Sequence, residues 1–168
     1  MTCDVVVAGG GTAGVAAGVA AAREGARVLL LERHGCLGGA ATVRNVLTLC
    51  GLYTLGEETR TVVGGIGAEV LSALHKRGAV TPPMRFRGVF SAFEPEAMKL
   101  VLDELALGAG VDVRFGCFVT GAVRGAERMR SVTYADHGGT TTVEAGAFVD
   151  CTGDGDLAHA AGASTRYG

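Results

Sequence analysis

Three short stretches carry residue types at spacings that suit chemistry. The first is Gly9-Gly10-Gly11-Thr12-Ala13-Gly14, a G-x-G-x-x-G pattern with Gly18 beyond it. Each glycine has a physical job at such a turn. Gly9 makes the tight turn out of a strand, Gly11 lets the backbone approach a pyrophosphate without a Cβ in the way, and Gly14 permits close packing of helix on strand. The phosphates then sit on free N–H groups at the positive end of the helix dipole. The pattern is short and the chain is rich in glycine, so the context has to support it. The pattern follows an apolar run, opens an alanine-rich stretch, and is answered by Glu32 at the end of the next apolar run. A carboxylate there suits a pair of ribose hydroxyls and repels a 2′-phosphate, which disfavours NADP. The competing reading is a glycine-rich turn of an α/β fold that holds no ligand.

The second stretch is Glu32-Arg33-His34-Gly35-Cys36-Leu37-Gly38-Gly39. Its glycine pair permits another close backbone approach, to the diphosphate or sugar side of a cofactor, or else forms a flexible loop. The third is Phe148-Val149-Asp150-Cys151-Thr152-Gly153-Asp154. A strand ending in Thr-Gly-Asp delivers a tight turn and a carboxylate to the carboxyl end of a sheet, where α/β folds bind ligands. Asp154 or Asp156 could also cap a following helix. The five cysteines, Cys3, Cys36, Cys50, Cys117 and Cys151, form no C-x-x-C and no zinc spacing with the four histidines. They read as reduced thiols of a cytoplasmic protein. Cys36 and Cys50 lie too far apart for a short redox pair and read as buried or inert. Arg44, Tyr53, Arg85 and Arg87 read as facing solvent rather than a substrate.

These stretches need elements to position them. Residues 3–8 are a β-branched apolar run, read as a buried strand. Residues 14–24 lack proline and are apolar nearly all round, which predicts a buried helix ended by Gly25. Residues 27–31 predict a second strand and complete a β-turn-α-β unit. Residues 35–56 show no clear period and read as loop with short pieces. A helix is predicted over 64–77 from Ile66, Val70, Leu71 and Leu74. Residues 81–93, with Pro82-Pro83, read as a connection or edge segment. Pro95 suits the first turn of another helix, carried by Met98, Val101, Leu102 and Leu105. Residues 111–115 predict a strand. Residues 118–124, 129–136 and 140–144 predict an antiparallel meander with turns at Gly125-Ala126-Glu127 and His137-Gly138-Gly139. Residues 147–151 predict one more strand, followed by a short helix to Ala161.

Composition bounds the rest. Of 168 residues 28 are glycine, well above the usual share of about 7%, yet they follow no collagen period. Fifteen Lys+Arg against 17 Asp+Glu, with no basic run, argue against nucleic acid. The apolar stretches are broken by Arg23, Glu24 and Arg27 well short of about 20 residues, which argues against a membrane span. No basic segment precedes the first strand, which argues against a signal peptide.

Three fragments in this order carry a family resemblance: Asp4 to Gly14, then Leu30-Leu31-Glu32-Arg33, then Gly38-Gly39-Ala40-Ala41-Thr42. They resemble the N-terminal part of FAD-dependent oxidoreductases of the glutathione-reductase-like superfamily. The likeness continues in Gly64-Gly65-Ile66, Phe93-Glu94-Pro95-Glu96 and the segment from Val149 to Leu157. It implies an α/β, Rossmann-like FAD/NAD(P)-binding domain with a parallel central sheet and a small antiparallel meander. That domain would span 1–168, with a helical insertion over about 57–109 and the meander over about 117–145. The resemblance implies FAD as cofactor. Its pyrophosphate would lie on Gly9, Gly11, Thr12, Ala13 and Gly14, and its ribose on Glu32 beside Arg33. Gly38, Gly39 and Ala40 would run along the cofactor, and the backbone of Val119 would meet the adenine. Thr152, Gly153 and Asp154 complete the set. The family usually has alanine at Cys151. It also continues past the point where this chain stops, at Tyr167-Gly168, so a C-terminal substrate domain is expected to be absent. Three functions stay open: an FAD-binding oxidoreductase fragment acting on an unknown small molecule, a non-catalytic remnant or subunit that needs a second polypeptide, and an NAD-binding module.

Overall fold

The computed structural model describes residues 2–166, so the chain end at Tyr167-Gly168 lies outside the described residues. Strand β1 (Thr2–Ala8) leads into helix α1 (Thr12–Arg23) and strand β2 (Val28–Glu32). Strand β3 (Thr48–Cys50), helix α2 (Gly65–Lys76), strands β4 (Met84–Arg85) and β5 (Val89–Ala92) and helix α3 (Pro95–Gly108) follow. Strands β6 (Asp112–Phe115), β7 (Phe118–Arg124), β8 (Met129–Asp136) and β9 (Gly139–Asp150) and helix α4 (Asp156–Ala160) complete the chain.

The main sheet has the order β6-β2-β1-β9-β8-β7. Pairing is parallel from β6 to β9 and antiparallel from β9 to β7. Alternate side chains of β1 and β2 point to opposite faces, and both faces are covered. Val7, Val28 and Leu30 pack with α1, α2 and α3 in one core. Val6, Ala8, Leu29 and Leu31 pack with Val132, Tyr134, Val143 and Leu157 in the other. This two-sided cover explains why β1 and β2 read as continuous apolar runs. Arg27 grips Asp4 where β1 and β2 begin, and the guanidinium hydrogen bonds hold that carboxyl down to about 2.

Four expectations change. The segments 140–144 and 147–151 are one strand, because β9 pairs continuously: Glu144 faces Ser131 of β8 on one side and Thr2 of β1 on the other. The meander is thus an extension of the main sheet. Residues 81–93, expected as a connection or edge segment, hold two strands: β4 lies at the edge and β5 at the centre of a second sheet of order β3-β5-β4. The stretch 57–109 is therefore not purely helical. The helix predicted to be buried all round buries one face only, through Gly14, Val15, Gly18 and Val19. Gly18 serves packing, facing Leu30 and Val111 at ordinary contact distance, and takes no part in the turn.

The amphipathic helices sit as their periodicity predicts. Val70, Leu71 and Leu74 of α2 and Met98, Val101 and Leu102 of α3 are buried. Pro95 is at the start of α3, where its missing N–H costs nothing. The Glu94 carboxylate accepts the Ala97 N–H at 2.6 Å as the cap.

Candidate functional site

In the sheet order the chain runs outward from β1 through β2 to β6 on one side, then crosses to β7 and returns through β8 to β9 on the other, so the order reverses between β1 and β9. Crevices at such a switch, outside the carboxyl ends of the strands, are where α/β sheets take ligands. A cleft of about 400 Å³ lies there. Among the expected residues, Gly9, Gly11, Thr12, Ala13, Glu32, Arg33, Gly39, Ala40, Val119, Thr152, Gly153 and Asp154 line it. Gly14 and Gly38 do not; they stand behind it and shape it.

The first turn is held by backbone contact. A Cβ on Gly9, whose φ is +100°, would lie 2.2 Å from the Cys151 carbonyl oxygen. A Cβ on Gly14 would lie 1.8 Å from the Gly9 carbonyl oxygen. Gly10, an unassigned position of the motif, is restricted too, though by side chains rather than backbone: its Cβ would meet Leu37 at 2.7 Å and Glu32 at 2.9 Å. Gly11 differs. Its φ of −64° suits any residue, and a Cβ there would meet no protein atom within 4 Å. It begins α1, whose first turn has no side-chain cap and no acidic residue. The N–H groups there remain available to an anion.

Glu32 is buried, yet its carboxylate is placed by two backbone donors. The Gly10 N–H donates to Oε2 at 2.6 Å and the His34 N–H to Oε1 at 2.7 Å. Each oxygen keeps a second lone pair. The glycine pair is no loose loop: the Gly38 N–H donates to the Gly10 carbonyl at 2.8 Å. A Cβ on Gly39 would lie 3.0 Å from the Gly11 Cα. The close approach is thus made first to the other turn.

The third stretch is organised by Asp150. Its carboxylate accepts the Thr152 hydroxyl at 2.7 Å, the Thr152 N–H at 3.0 Å and the Ala158 N–H at 2.8 Å. Burial pushes this carboxyl up, but the bonds from Thr152 and from the start of α4 outweigh it and leave it below the usual range. The Thr152 hydroxyl in turn accepts the Asp156 N–H at 2.9 Å. Capping therefore falls to Asp150 and Thr152, not to Asp154 or Asp156, because Gly155 occupies the cap position and Asp156 already lies within the helix. Asp154 and Asp156 instead face Arg33, at 3.5 and 4.0 Å.

The cleft also gathers residues to which the sequence reading gave no cofactor role: Leu31, His34, Val43, Arg44, Cys117, Phe118, Cys151 and Asp156. Several sit next to a motif residue, and that adjacency was the available signal. Burial pushes the thiols of Cys117 and Cys151 up, reinforced by Asp136 and Asp150 respectively, which makes them poor nucleophiles. Cys50 is exposed rather than buried, and all five cysteines are free. Tyr53 is buried, with its hydroxyl 2.7 Å from that of Ser91, so it faces neither solvent nor substrate. Arg85 binds the backbone of Leu55 and Gly56, and Arg87 lies over the Phe86 ring. Among the described residues no group of acidic, histidine or cysteine side chains could hold a metal ion. No described helix is long and apolar enough to cross a membrane.

Dinucleotide cofactors fit this construction by one observation: the place of a Gly11 Cβ is open, at the uncapped start of α1. Solved structures share the fold. THI4 from Thermovibrio ammonificans matches 95% of this chain at 19% identity and a TM-score of 0.63. A geranylgeranyl bacteriochlorophyll reductase-like protein from Thermoplasma acidophilum matches 95% at 17% identity and 0.65. CabE, an aromatic hydroxylase from angucycline biosynthesis, matches 94% at 20% identity and 0.68. The chain spans 61%, 42% and 32% of those three chains. A search of curated proteins gave no match. The fold is thus α/β and Rossmann-like, of the FAD/NAD(P)-binding kind. The family model for FAD dependent oxidoreductases matches residues 4–168, and the chain belongs to that family.

Proposed function

We propose that this chain holds FAD in the cleft at the carboxyl ends of β1, β2 and β9, as the nucleotide-binding part of a flavoprotein oxidoreductase of the glutathione-reductase-like superfamily. The observation that carries the reading is Gly11. Neither its backbone angles nor its protein neighbours require glycine, whereas a diphosphate on the α1 N-terminus would. In this reading Gly9, Gly11, Thr12, Ala13 and Gly14 form the diphosphate turn. Glu32, with one oxygen on Gly10 and the other on His34, keeps lone pairs for the adenosine ribose. Arg33 borders that side, and Gly38, Gly39 and Ala40 close the turn from above. Val119 lies beside a break in the β7–β8 register and would meet the adenine. Thr152, Gly153 and Asp154 complete the lining.

Bound flavin would supply hydride or electron transfer. The chain's own residues bind and orient it, and a small-molecule substrate would be met outside the 1–168 domain, by further polypeptide. The same proposal includes the insertion over about 57–109 and the meander over about 117–145.

Titration of the purified protein with FAD and with NAD tests the reading. FAD should bind tightly and outcompete NAD. Gly11→Val should abolish FAD binding while leaving the sheet folded, since a Cβ there meets no protein atom. Retained affinity in that variant would misplace the diphosphate. Glu32→Ala should weaken FAD by about 1.5–3 kcal/mol, the scale of a charged hydrogen-bonding group.

A further inference from the structure

We infer that Arg44 is a diphosphate-binding residue of the cleft, supplying the cation that the glycine turn lacks. The inference rests on the FAD reading above and adds a residue that the motifs do not mark. Two arginines line the cleft, Arg33 and Arg44. Arg33 is already matched by Asp154 and Asp156. Arg44 is exposed, and among the described residues its guanidinium has no hydrogen bond or ion pair.

Its backbone, by contrast, is fixed. The N–H groups of Val43 and Arg44 both donate to the Gly39 carbonyl, at 2.8 and 3.4 Å. The buried Thr42 hydroxyl donates to the Leu37 carbonyl at 2.6 Å. Asn45 then turns the chain away with a φ of 54°. Arg44 therefore springs from the turn whose Gly39 stands against Gly11. A dianionic ligand entering this cleft would find the Glu32 carboxylate directed at backbone donors and Arg33 neutralised. Arg44 is the arginine left to balance its charge, in the planar fork geometry that suits phosphate oxygens.

The test is the affinity of FAD and of ADP for the protein and for Arg44→Gln and Arg44→Lys, at low and at high salt, with ligand-free thermal midpoints alongside. Arg44→Gln should weaken both ligands about tenfold at low salt. The deficit should shrink at high salt, Arg44→Lys should recover part of it, and the midpoint should not move. An Arg44→Gln variant as tight as the parent overturns the inference while leaving the FAD reading intact. A deficit that is equal at both salts also overturns it, by pointing to shape rather than charge. A parent protein that binds neither ligand removes the FAD reading, and this inference with it.

Discussion

Two glycine turns flank the carboxyl end of β1, and they are held in different ways. At residues 9–14 backbone meets backbone, and the absent Cβ atoms of Gly9 and Gly14 are required by main-chain oxygens within 2.2 Å. At residues 152–156 the glycines stand in open space. Gly153 and Gly155 need only their positive φ, 88° and 76°, and the turn is held by Asp150 and the Thr152 hydroxyl. The first turn is fixed by steric exclusion and the second by polar side chains. Steric exclusion fixes position to within a fraction of an ångström, because nothing soft intervenes. Hydrogen bonds to a carboxylate depend on its charge, so the second turn, held chiefly in that way, is the more sensitive to pH, whereas in the first a single such bond, from the Gly10 N–H to Glu32, adds to the steric frame.

Substitutions can break this contrast. The largest effect is expected at Gly14→Ala, which forces Gly9 and the helix apart. It should cost about 3 kcal/mol or more, read as a loss of thermal midpoint, with FAD affinity lost too. A mild loss there would show that the turn can relax and that the contrast is false. Next comes Asp150→Asn. The Asp150 carboxyl is depressed in the folded chain, so its stabilisation is complete above the unfolded value, near 3.9, and drains away as pH falls below it. Asp150→Asn should lower stability by about 1 kcal/mol at neutral pH and by progressively less below about pH 4, measured by denaturant melts across pH. A constant difference at every pH would remove the carboxylate charge from the account. The smallest effect is Gly153→Ala, where only left-handed backbone is at stake, about 1 kcal/mol. A much larger loss would reveal a steric role that open space does not suggest.

Legibility followed the range of the interactions. The βαβ unit was readable because β1, α1 and β2 are local and their apolar runs are uninterrupted. The amphipathic stripes of α2 and α3 were readable for the same reason. The small sheet β3-β5-β4 was not, since it joins residues 48–50 to 84–92 across a helix, in strands as short as two residues. The cleft was partly legible. The glycine motif, Glu32 and the Thr-Gly-Asp turn named most of the lining, whereas Arg44 and Phe118 carry no pattern of their own.

The local chemistry was legible in the order of residues alone: a helix start behind a glycine turn, a carboxylate at the end of the next apolar run, and a near-even balance of charges. Long-range packing set which glycine of the first motif is free of protein demands, which of the two cleft arginines is left unmatched, and which carboxylate caps α4. Those depend on what lies across space from each residue. A Cβ clash at Gly9 comes from Cys151, and the neutralisation of Arg33 comes from Asp154 and Asp156, all more than a hundred residues away along the chain.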